Sequence, residues 1–121
     1  MRPLDDLPGL VEGDGRLVHR GRWVTVRFLL GVGDEGYLVE VVEGRVASVA
    51  RGPFVMPDWR FALRAPADGW ARFWAAAPPA GSHDLLALLK GGSLRVEGDL
   101  HPFMANLQWF KDVVATLREA P

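Results

Sequence analysis

The stretch Gly92-Ser93-Leu94-Arg95-Val96-Glu97-Gly98-Asp99 lies between two apolar patterns of helical spacing, and it constrains the C-terminal part of the chain. Leu94 and Val96 alternate with Arg95, Glu97 and Asp99, which predicts a short strand with one face toward a core and one toward water. Gly91-Gly92 ends the helix before it, and Gly98-Asp99 turns the chain into the helix after it. No acid–base pair, thiol or phosphate loop accompanies this unit. It reads as the frame of an apolar container.

At 121 residues the chain is expected to form one domain, residues 1–121, burying about two thirds of its unfolded surface. Hydrophobic residues make up 49%, enough for a full core without disulfides. Cysteine is absent, which excludes thiolate catalysis and Cys-based zinc sites and fits a reducing compartment. With 14 basic residues against 15 acidic ones, no positive surplus exists to neutralise a phosphate backbone, so nucleic acid is not an expected partner. No window approaches the roughly 18 apolar residues of a membrane span. The first residues also lack the apolar run of a signal peptide, and a cytoplasmic location is expected.

Residues 1–15 are broken by Pro3, Pro8, Gly9, Gly13 and Gly15 and are read as irregular, with one helical turn at most. From Arg16 the pattern turns β. Val24, Val26, Phe28 and Leu30 point one way, and Trp23, Thr25 and Arg27 the other. Tyr37, Val39 and Val41 mark a second strand, and Glu43-Gly44 a reversal into a third over 45–51. Gly52 to Pro57 is a crossover, since two prolines disfavour a central strand. Trp59 to Ala65 predicts a fourth strand, with Trp59, Phe61 and Leu63 inward.

Helical spacing begins after Pro66. Asp68 is the expected N-cap, followed by Trp70, Phe73, Trp74 and Ala77. Ser82 is the expected cap of a second helix in which Leu85, Leu86, Leu88 and Leu89 cover most of the circumference. A third helix is expected over 100–117, with Leu100, Phe103, Met104, Leu107, Phe110, Val114 and Leu117 as its stripe. Trp109 and Val113 fall off that stripe and read as exposed. The architecture that follows is α+β, with about five mostly antiparallel strands and helices on one face.

This order resembles the sterol carrier protein 2 (SCP2) family over Trp23 to Leu117. The resemblance is carried by Trp59-Arg60-Phe61-Ala62-Leu63-Arg64, Asp68 ahead of Trp70 and Phe73, the leucines 85–89, the strand 92–99 and the final helix. It implies a hydrophobic tunnel between sheet and helices, a lipid ligand, no cofactor, no metal and no catalytic residues. Fatty acids, acyl-CoA, isoprenoids and sterol-like lipids are the expected partners. Two departures stand out: the family's N-terminal helix is not expected here, and His101-Pro102 opens the last helix. Without the first helix, apolar surface would be left to cover, and a homodimer is a further expectation.

The expected ligand walls follow from the strand and helix faces. The sheet contributes Val26, Phe28, Val39, Val41, Phe61 and Leu63. Trp70, Phe73 and Trp74 form one helical wall, and Leu86, Leu89, Phe103, Leu107 and Phe110 the other. The alternative is a filled core serving as an interaction or dimerisation module. A ligand-sized void of about 300 Å³ would cost on the order of 7 kcal/mol, against a total stability of about 5–15 kcal/mol. A tunnel in so short a chain is therefore occupied, collapsed or sealed by a partner.

His19, His83 and His101 lack metal-ligand spacing and read as surface histidines. Ser82-His83-Asp84 holds the residue types of a hydrolase triad, but sequence neighbours cannot adopt its geometry. Asp99 reads as a helix cap. Arg22, Arg27, Arg60 and Arg64 read as the solvated outer face of the sheet, with an anionic headgroup or CoA phosphate as their alternative partner.

Overall fold

Alternation at the expected places produces a five-stranded sheet in which the strands, numbered along the chain, lie in the order 3-2-1-4-5. The computed structural model describes residues 2–55 and 57–119; Met1, Met56, Ala120 and Pro121, which belong to segments read above, lie outside the described residues. The strands are β1 (Val26–Val32), β2 (Glu35–Val42), β3 (Arg45–Arg51), β4 (Phe61–Ala65) and β5 (Arg95–Gly98). β1–β2, β2–β3 and β4–β5 pair antiparallel, while β1 and β4 pair parallel. Phe28 stands opposite both Val39 and Phe61, and Leu63 opposite Val96, so these side chains share one face. Arg27, Glu40, Arg64 and Glu97 share the other. A register shift between Glu40 and Val41 puts a bulge in the β2–β3 ladder.

The Glu43-Gly44 reversal is a two-residue turn with both residues at positive φ, 50° and 80°, the form that matches strand twist. A Cβ on Gly44 would lie 2.6 Å from the Val18 carbonyl oxygen, so glycine is required there sterically as well.

The N-terminal segment corrects the expectation of an irregular leader. A 3₁₀ turn over Leu4–Asp6 leads into α1 (Leu7–Glu12) and α2 (Gly15–Arg20). Pro8 sits in the first turn of α1, where a missing N–H costs nothing, and Asp14 caps α2 by accepting from the Leu17 amide at 3.1 Å. Leu4, Leu7, Val11 and Leu17 are buried in the common core. The β pattern read from Arg16 onward begins only at Val26.

That correction carries a second one. Trp109 and Val113, expected on the outside, are buried. The Trp109 indole donates to the Leu17 carbonyl at 2.8 Å and packs on Gly21 at the end of α2. The N-terminal helices cover the face that an unhelical leader would have left open.

The remaining helices are α3 (Ala67–Phe73), α4 (Leu85–Lys90), α5 (Leu100–Ala105) and α6 (Leu107–Ala115). Pro66, not Asp68, takes the N-cap position of α3, and Asp68 pairs with Arg72 at 3.2 Å in the first turn. Asp84, not Ser82, caps α4 by accepting from the Ala87 amide at 2.8 Å. The single long helix expected over 100–117 breaks at Asn106, whose φ and ψ are −126° and 32°. Its side chain donates to the Pro102 carbonyl at 3.0 Å, a local bond that competes with helix continuation. Trp59 precedes the β4 ladder and is half-buried outside the core cluster, rather than part of it.

Three stability measurements follow. Leu7→Ala should cost about 2–5 kcal/mol in denaturant unfolding, where an irregular leader would give almost nothing. Gly21→Ala should cost about 1–3 kcal/mol, because the added methyl overlaps the Trp109 indole. Asp84→Ala should cost about 1 kcal/mol at neutral pH. The Ala87 amide, and then Lys111, hold the Asp84 carboxyl below its ordinary 3.8. The stabilisation is therefore complete above that value and lost as pH falls through the lowered one, so the two proteins should converge in acid.

Candidate functional site

The apolar faces of sheet and helices meet in an aromatic cluster drawn from four elements. Phe28 of β1 and Phe61 of β4 stack with centroids 5.3 Å apart and planes 6° from parallel. Phe110 of α6 meets both edge-on, at 5.6 and 5.2 Å. Phe103 of α5 completes the group, 5.5 Å from Phe61 and 5.8 Å from Phe110. These are favoured offset and edge-to-face arrangements.

A second group lies on α3. Trp70 and Trp74 stack at 4.7 Å, with Phe73 against both. Their indoles are not left without partners. Trp70 donates to the Gly31 carbonyl at 2.7 Å and Trp74 to the Val114 carbonyl at 2.9 Å. These bonds tie α3 to β1 and α6 while its rings remain in the apolar layer.

Of the residues expected to line a ligand, Phe28, Val39, Val41, Phe61, Leu63, Trp70, Phe73, Trp74, Phe103 and Phe110 are buried together. Val26, Leu86 and Leu107 are half-buried. Leu89 faces solvent, because the six-residue α4 turns Leu85 and Leu88 inward instead. Leu85, Leu88 and Leu94 extend the same layer, as do the N-terminal leucines that sequence reading set aside. Their signal was present: Leu4, Leu7 and Val11 follow helical spacing.

The four rings pack directly on one another, with centroids 5.2–5.8 Å apart. Cavities of about 290, 460, 480 and 540 Å³ open on the surface. The smallest touches Val26 and Val41 at the end of the sheet, beside Trp59, Arg27, Glu40, Asp58 and Arg60. That of about 460 Å³ lies on the outer sheet face, against Leu29, Phe54 and Trp59.

Charge is confined to the outside. Arg27 pairs with Glu40 at 3.5 Å, Arg60 with Asp99 at 3.8 Å and Arg64 with Glu97 at 2.6 Å. Arg22 leaves the sheet face altogether; it lies over the Trp23 ring at 5.5 Å and donates to the His19 carbonyl. The Tyr37 hydroxyl, and then Arg51, hold the Glu35 carboxyl below its usual range. His19, His83 and His101 are exposed, and the described residues contain no group of three or more side chains able to hold a metal. Ser82 is the one buried polar side chain among the described residues. The inner layer is apolar and the paired charges lie outside it.

No protein-family model and no curated protein matches the sequence. Solved structures do match. One is a sterol carrier protein 2, at 14% identity and a TM-score of 0.75, covering 95% of this chain and 92% of that one. A conserved hypothetical protein of Thermus thermophilus, for which a sterol-carrier role has been suggested, matches at 13% identity and a TM-score of 0.69, covering 97% and 87%. A UbiJ-SCP2 ubiquinone synthesis protein matches at 18% identity and a TM-score of 0.58, covering 92% and 84%. A mostly antiparallel five-stranded sheet, its helices and these matches agree: the chain has the α+β fold of sterol carrier protein 2.

Proposed function

We propose that the chain is a non-enzymatic carrier for a fatty acyl, isoprenoid or sterol-like molecule held between the inner sheet face and the helices. The observation that carries this reading is the Phe28–Phe61–Phe103–Phe110 cluster, an apolar meeting point of four elements. The similarity to structures described as sterol carrier proteins and as a ubiquinone synthesis protein supports it.

A closed interior is what an unliganded carrier of this size requires. Holding about 300 Å³ open and dry would consume most of the net stability of a small domain. Ligand uptake then exchanges ring–ring contacts for ring–ligand contacts, and affinity comes from the ligand's own apolar surface at about 25 cal/mol per Å². Selectivity among chains and rings is correspondingly low.

A second reading keeps the interior permanently filled and makes the protein an interaction or dimerisation module. The ring spacings of 5.2–5.8 Å favour it. The original reason for expecting a dimer, a missing N-terminal helix, is removed by α1 and α2.

Native mass spectrometry of the purified protein and a thermal-shift panel separate the two. At a ligand concentration a hundredfold above Kd, a carrier should gain about 10 °C in Tm from at least one fatty acid, acyl-CoA or isoprenoid alcohol. Absence of co-purified lipid together with a flat panel would end the carrier reading in favour of the module.

A further inference from the structure

We infer that α5 is the door to the apolar interior and that Phe103 is its plug, an inference that rests on the carrier reading. Phe103 is the buried residue of α5. Its ring touches Phe61 and Phe110, both fully buried, so withdrawing this one side chain uncovers the aromatic cluster.

The helix is built to move as a unit. It spans six residues between Gly98, at φ 90°, and the break at Asn106. Helices so short do not persist unaided, and Pro102 contributes no N–H. Its attachments include the Asp99 cap, which accepts from the His101 amide at 3.1 Å, and the Phe103 ring.

Its outer face points to the same role. Leu100 and Met104, one turn apart, are 46% and 52% exposed. An apolar ligand adsorbing there lies next to the residue it must displace. The path then runs past Phe103 and onto Phe61 and Phe110, where the incoming chain takes the place of the departing ring. Asp99 also donates its amide to the Arg60 carbonyl at 2.9 Å, which anchors the N-terminal side of the door to the residue just ahead of β4. The Asn106 side is held by bonds within the helical segment itself, to Pro102 and from Phe110.

Hydrogen exchange on the ligand-free protein tests the door directly. Amides of 100–106 should exchange about 100-fold faster than those of 107–115, as a separate opening event. A stopped-flow experiment with a solvatochromic fatty-acid probe tests entry. Phe103→Leu should raise the association rate about tenfold, while Leu29→Ala, a truncation of a buried side chain on the outer face of the sheet, should leave it within about twofold. Probe uptake with α5 and α6 exchanging in step overturns the door and leaves the carrier standing. Equal rate changes in the two variants do the same. Fast exchange of α5 with no uptake by either protein overturns the carrier reading, and the door with it.

Discussion

The parallel pairing of β1 with β4 sets Phe28 beside Phe61, and this contact orders the rest of the core. Two rings stacked on adjacent strands make a flat apolar floor that neither strand could offer alone. Phe110 meets that floor edge-on and fixes where α6 crosses the sheet. Once α6 is placed, its other face needs cover, and α2 supplies it through Trp109 and Gly21. The chain thus builds outward in layers from one pair of phenylalanines.

The inner sheet face was legible because strand alternation is a local signal. Val26, Phe28, Leu63 and Val96 each fall where period-two spacing places them. The helical layer was legible in composition but less so in continuity. Asn106 interrupts an apolar stripe that runs unbroken in sequence, because its side chain prefers a bond to Pro102 over a place in the helix. The N-terminal segment was misread for the opposite reason. Pro8, Gly13 and Gly15 look like breakers when counted, yet each stands at a helix terminus, where it starts or stops a turn. Trp109 could not be placed from its own helix at all, since what buries it comes from residues about ninety positions away. Trp59 shows the limit of alternation: the pattern continues past the point where the ladder ends.

The candidate site was legible as a set of residues but not as a state. Sequence spacing identifies which side chains face one another, whereas whether they touch or stand apart depends on packing in three dimensions. Here the rings touch. The two sides of the sheet also divide their labour. Arginine–carboxylate pairs occupy the outer face and satisfy one another there, so a charged headgroup would have to compete with existing partners. The apolar side carries no such competition.

The bulge between Glu40 and Val41 bears on how such a protein survives in a crowded solution. A molecule that loosens its interior to admit a guest exposes greasy surface from time to time, and an accessible sheet margin would then invite neighbouring chains to zip on. β3, one margin of the sheet, is kinked out of regular pairing by that bulge, and β5, the other, is only four residues long and carries Arg95 and Glu97. Irregular, short and charged margins are poor templates for a stranger's strand. The architecture thereby keeps transient opening from becoming a route to aggregation.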